Sequence, residues 1–198
     1  ATIQEAIDVA AAGDTVLVAD GVYPVHLIIG SGITVRSQNG PRDCILTPGW
    51  PGYNIVFFGA QSTATLQGFT VRGSRLQAPR DAAIFCYHSS PIIADCIVRD
   101  NVNESGPAAI FCTEASPTIV NCTIAGNVGY NGAGILCWWS PAVLRNCTIA
   151  DNAGQGSGAI GAGITCVYSP AAVTKSILWG NSTKQIHVVG PAPPVTYS

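Results

Sequence analysis

The chain has 198 residues, 47% of them hydrophobic and only 10% charged, with 22 Gly, 13 Pro, no Met and a formal net charge of −2. That length suits one domain with its own core, and sparse charge with abundant Gly and Pro favours short strands joined by tight turns over helical bundles. The 9 Lys and Arg are scattered and make no basic stripe, which argues against a nucleic-acid partner, and no run approaches the roughly 18 apolar residues of a membrane span.

The first predicted element is a helix. In "TIQEAIDVAAAGD" Thr2 and Glu5 have the spacing of a capping box, and Ile3, Ala6, Ile7 and Ala10 share one face. Gly13 stands where a helix C-cap belongs. Residues 1–13 are therefore read as a cap over the open end of a stack of strands. Residues 14–81 carry apolar strand candidates bounded by Gly, Asn, Asp or Pro: "TVLVADGVY", "HLIIGSGITVRS", "CILTP", "NIVFF" and "ATLQGFTVRG".

From residue 82 to residue 181 a phrase returns four times, beginning at Ala82, Ala108, Ala133 and Ala162. Its leading cysteines, Cys86, Cys112, Cys137 and Cys166, recur at intervals of 26, 25 and 29 residues. A second column lies ten residues later as Cys96, Cys122, Cys147 and then Ser176. The length differences fall in "VNESGP", "VGYNG" and "AGQGSGAIG", read as loops, where insertions are tolerated. Within a copy Ile84 and Cys86 alternate with Phe85, and Cys96 and Val98 with Ile97, the period of two that a strand requires. About 25 residues cannot enclose a core alone, so the copies must stack in parallel, burying equivalent side chains in columns. Residues 182–198 read as the start of a further, truncated coil of one single domain, and the ends of the chain suggest a piece of a longer polypeptide.

The helix with "TVLVADGVY" behind it, together with "GILCWWSPAVLRNCTIADN"-type repeats, resembles the right-handed parallel β-helix proteins of the pectate lyase-like superfamily, and among them the Cys-containing repeat modules of large secreted or surface bacterial proteins. The resemblance implies an all-β fold, a single-stranded right-handed parallel β-helix (solenoid) with three parallel sheets and an N-terminal capping α-helix. It also implies a secreted or cell-surface location.

For the eight cysteines three roles are open. Metal binding would want short Cys-x-x-Cys spacing with a closing His, which is absent, so no metal site is predicted. In-register neighbours about 4.8 Å apart are too far for an unstrained disulfide, whose Cβ atoms lie about 3.8 Å apart. A bridge within a coil, such as Cys86 to Cys96, stays open. Cys as a small buried hydrophobe is favoured, because Ser176 would orphan a bridge to Cys166. Asn121 and Asn146, with Asp95 and Lys175 at equivalent places, are expected at bends. Asn101, Asn127, Asn152 and Asn181 are expected to form side-chain ladders from coil to coil.

The family implied by the resemblance contains polysaccharide lyases, hydrolases and epimerases. A lyase would need clustered acids for Ca²⁺ and a Lys or Arg base, and a hydrolase two carboxylates across a cleft; the sequence shows neither pattern. His88 and Glu114, at equivalent places in adjacent coils, are the one candidate catalytic pair. Tyr87, Trp138, Trp139 and Tyr168 precede the Ser-Pro turns and form a candidate ligand-binding ridge, since flat aromatic faces beside hydrogen-bonding groups suit sugar rings. The favoured expectation is a noncatalytic module of a larger protein, a rigid scaffold or adhesive surface with carbohydrate affinity and no cofactor. The competing one is a polysaccharide-active enzyme, with Ca²⁺ only if it is a lyase. Expected partners are a polysaccharide, other domains of the parent chain, and a second copy through end-to-end association.

Overall fold

A computed structural model describes residues 1–30, 32–156 and 159–190. The chain winds into an all-parallel β-solenoid of about 6 turns behind one short helix. Three sheets of seven strands run along it. The first extends from Thr15–Val18 to Ala171–Thr174, the second from Gly21–Val25 to Ile177–Trp179, and the third from Leu27–Ile29 to Ile186–Val189. Every pairing is parallel and in register from coil to coil, so that Cys86, Cys112, Cys137 and Cys166 succeed one another directly.

What turns the chain from sheet to sheet is a set of left-handed residues at fixed places in each coil. Asp95, Asn121, Asn146 and Lys175 lie between the first and second sheets. Asp100 and Asp151 come after the second, and His88, Glu114, Trp139 and Tyr168 after the third. All have φ between 45° and 55°. Asn and Asp tolerate this region best; for Trp139 and Tyr168 it is a strained conformation that only the stacked neighbours hold in place.

The interior is made of columns. Ile29, Phe58 and the four leading cysteines form one, completely buried. A second runs from Cys44, the first residue of its strand, through Phe69, Cys96, Cys122 and Cys147 to Ser176, these last five each one residue before a strand of the second sheet. All eight cysteines are free thiols, and the bridge from Cys86 to Cys96 is not formed, because the two side chains belong to different columns. The thiols of Cys96, Cys122 and Cys147 donate to the carbonyls of Ala94, Val120 and Arg145 at 3.1, 3.2 and 3.3 Å, and the Ser176 hydroxyl donates to Thr174 in the same way at 2.9 Å. Ser can therefore replace Cys here without orphaning a polar atom. Burial, and then the charge of Asp20, push the Cys44 thiol up to about 11, and burial raises that of Cys147.

Asn101, Asn127, Asn152 and Asn181 form the expected ladder. Nδ2 of each donates to Oδ1 of the next at 3.0, 2.9 and 2.8 Å. The same Oδ1 atoms accept from the backbone N–H of the preceding Asn. All four are buried.

The helix α1, Ile3–Val9, has the predicted capping box: Thr2 Oγ1 accepts from Glu5 N at 3.1 Å and Glu5 Oε2 from Thr2 N at 2.7 Å. Ile3 and Ile7 are buried against the first coil. Gln4 bonds both backbone groups of Ile28, Nε2 to the carbonyl at 3.2 Å and Oε1 from the N–H at 2.9 Å. A side-chain amide thus takes the place of a further strand on that edge.

Two expectations need correction. The helix ends at Ala10, which is extended, and Gly13 (φ 93°) instead serves the turn into the first strand; Asp14 accepts the Ala11 N–H there and stops the helix short. The inter-copy segments are not wholly loops, because Val102–Asn103, Val128–Gly129 and Ala153–Gly154 pair, with Arg75–Leu76 ahead of the first copy, as a fourth, short sheet. Two-residue strands are too short to show a period in sequence. Of the further coil, Ile186–Val189 joins the third sheet; residues 191–198 lie outside the described residues.

Candidate functional site

The outer face of the third sheet carries the aromatic residues. Phe57, Phe85, Phe111, Leu136 and Thr165 stand in register along it. The Phe85 and Phe111 rings are parallel within 3° at 5.1 Å, and Phe57 lies 5.5 Å from Phe85. Outward direction does not make all of these accessible: Phe111, Leu136 and Thr165 are buried. Phe111 and Leu136 form a small second core with Ala82. The inter-copy segments fold back over them; at Gly132 (φ 65°) a Cβ would stand 3.0 Å from Leu136 Cβ, so a side chain there would crowd the covered strip.

Beyond that covered strip the face opens. A groove of about 370 Å³ is lined by Arg80, Tyr87, Glu114, Trp138 and Trp139, with Phe85 and Phe111 at its floor. Tyr87 and Trp138 are two coils apart in one column, with Thr113 between them. Trp139 and Tyr168 occupy successive left-handed corners, which splay their side chains outward. Their rings stack at 4.7 Å within 14°, and both are about half exposed. Tyr87 meets His88 edge-on at 4.2 Å. The four aromatic residues expected to form a ridge therefore lie together, Tyr87, Trp138 and Trp139 on the groove and Tyr168 on the far side of Trp139.

His88 and Glu114 do face each other, with Nε2 and Oε2 3.5 Å apart. They border a shallower hollow with Ser116, Trp139 and Pro141. Both are well exposed, so their attraction is screened by water. Among the described residues lining the groove and this hollow, Glu114 is the one carboxylate. Arg80 was not anticipated from sequence. Its guanidinium lies over the Trp138 ring, Cζ 5.1 Å from the centroid, a cation–π contact that holds the indole and presents a positive donor to the groove. It precedes the first repeat, in a Pro-containing segment with no periodicity, and only the fold brings it two coils along to Trp138.

Parallel coils, ladders and corners of this kind define a β-helix, and the profile of the family described as right handed beta helix region matches residues 32–193. The chain belongs to that family. Among solved structures it is similar to pectin methylesterase PemA from Erwinia chrysanthemi, with a TM-score of 0.59 and 14% identity, over 98% of this chain and 66% of that one. It is also similar to the pectin methylesterase from Yersinia enterocolitica, with a TM-score of 0.55 and 10% identity, over 96% of this chain and 81% of that one. The chain thus spans just under two thirds of the length of PemA. These likenesses bear out the right-handed parallel β-helix fold read from the sequence; at such identity a fold does not carry its activity. No curated protein matches the chain.

Proposed function

We propose that this β-helix is a noncatalytic carbohydrate-binding module, a rigid scaffold or adhesive surface of a secreted or cell-surface protein. The observation that carries the reading is the open groove of Tyr87, Trp138 and Trp139 with Arg80 and Glu114 at its sides. Exposed rings offer apolar faces to the C–H faces of a sugar, and the charged groups offer a donor and an acceptor to its hydroxyls. Mounting them on in-register strands fixes their spacing before the ligand arrives, which lowers the ordering cost of binding. That both similar structures are pectin methylesterases supports a polysaccharide as the partner.

The noncatalytic part rests on the chemistry of the groove. Hydrolysis by two carboxylates needs a second acid facing Glu114 across the bound sugar. The Ca²⁺ of a lyase would need roughly six to eight oxygen ligands; the described lining residues fit neither. The specific observation on the side of an enzyme is the His88–Glu114 pair at the groove's rim, a candidate acid–base couple.

One panel of soluble acidic and neutral polysaccharides, assayed for binding and turnover with and without Ca²⁺, separates these readings. The expected result is binding without product, weakened at least tenfold in a Trp138→Ala, Trp139→Ala double variant. New reducing ends or unsaturated uronate, abolished by Glu114→Gln, would establish an enzyme instead, and no binding to any polymer would leave a spacer.

A further inference from the structure

A second aromatic cluster lies on the same side of the solenoid, nearer the cap, outside both the repeat and the groove. His26, Trp50 and Tyr53 form a triangle with centroid distances of 6.2, 5.5 and 6.0 Å, Tyr53 edge-on to Trp50. Trp50 and Tyr53 sit in the segment "GWPGY" and are 63% and 54% exposed. The His26 ring is fixed through Nδ1 to the Asn54 carbonyl at 2.8 Å. The Asn54 side chain, itself buried, donates Nδ2 to Asp81 Oδ1 at 3.0 Å, and its Oδ1 has no partner among the described residues. Exposed aromatic faces beside an imidazole, on a framework pinned from behind by Asn54 and Asp81, are the ingredients of a sugar platform.

Between the two sites the outer face carries a row of rings: Phe57 and Phe85 lie 5.5 Å apart, and Tyr87 lies 6.2 Å beyond Phe85. Arg80 and Asp81 are adjacent in sequence, the first lying over Trp138 in the groove and the second bonded to Asn54 beneath the cluster. From the coil of Phe57 to that of Leu136 is three coils, roughly 14 Å along the axis at about 4.8 Å per coil.

We propose that His26, Trp50 and Tyr53 form a second platform for the same glycan, so that the surface selects extended polysaccharide chains long enough to reach from this cluster to the groove of Trp138 and Trp139. This rests on the groove being a carbohydrate site. A chain touching both platforms gains effective concentration at the second once the first is engaged, whereas a short oligomer fills only one. Chain length, not sugar identity alone, then becomes a determinant of affinity.

The test is calorimetric binding of size-fractionated polygalacturonate and galactomannan, from trisaccharide to polymer, to the unaltered chain and to a Trp50→Ala, Tyr53→Ala variant. Both replaced side chains are exposed, and circular dichroism and melting temperature confirm that the fold is kept. The expected result is a polymer affinity roughly ten- to a hundredfold lower in the variant, with trisaccharide binding unchanged. Equal affinities of variant and parent for every length would overturn the second platform while leaving the groove reading intact, provided that Trp138→Ala, Trp139→Ala still weakens binding at least tenfold. Absence of binding by the unaltered chain at every length would overturn the groove reading and this inference together.

Discussion

At Asp81 two demands oppose each other. Burial pushes its carboxyl above the usual range, while the hydrogen bonds from Asn54 and the Ala82 N–H and the nearby charge of His26 pull it back without reversing the shift. The folded chain therefore holds this proton to a higher pH than the unfolded chain does. Between the two values the unfolded state binds fewer protons, so the contribution of Asp81 to stability falls as pH rises through and above about 4. Asp81→Asn keeps an oxygen for both donors and removes the titration. Urea midpoints of parent and variant should therefore diverge in favour of the variant as pH rises from about 3.5 to 6; a constant difference would mean that Asp81 does not titrate differently on folding. Single residues also account for the least predictable features of the sequence. Trp139 and Tyr168 are bulky aromatic residues at left-handed corners that the preceding coils give to His88 and Glu114, and that strain of about 1–2 kcal/mol each is sustained while their rings are held outward and stacked.

Among the elements, the Asn ladder is the one whose energetics are most cleanly separable. Asn127 accepts from the N–H and Nδ2 of Asn101, and donates to Asn152 Oδ1 and to the carbonyls of Val98 and Ala125. Asn127→Ala leaves several of these groups buried and unpartnered, at about 1–3 kcal/mol for a group so stranded. Urea unfolding should register a loss of about 3 kcal/mol or more, against about 1 kcal/mol for Cys122→Ser, where the hydroxyl can make the bond to Val120 that Ser176 makes to Thr174. A loss below 1 kcal/mol at Asn127 would show that the ladder only lines the corner. The cap works by a related principle, since Gln4 supplies to Ile28 the two bonds that a neighbouring strand would have made.

Over the whole molecule, the parts legible in sequence are those that the repeat enforces. The Cys and Asn columns recur through the four repeat coils because equivalent positions face equivalent surroundings, and this made the solenoid, the bends at Asn121 and Asn146 and the buried ladder readable. Cys44 could not be placed, because Phe69 stands between it and Cys96 in the column and breaks the visible pattern. The first coils obey the same geometry with different side chains. The candidate site was legible only where it lies in the repeat, at Tyr87, His88, Glu114, Trp138, Trp139 and Tyr168. Arg80, Trp50 and Tyr53 come from aperiodic segments and His26 from the edge of a strand candidate, and nothing local in sequence reports that winding brings His26, Trp50 and Tyr53 together or Arg80 to Trp138. The covering of Phe111 and Leu136 was hidden for the same reason, as alternation gives the direction of a side chain but not the segment that folds over it.

The most direct test of a glycan site on this solenoid is a crystal structure of the chain with the longest oligosaccharide that binds it. Sugar rings should lie against Trp138 and Trp139, within hydrogen-bonding reach of Arg80 and Glu114. A ligand seated elsewhere on the solenoid, with this groove empty, would contradict the assignment.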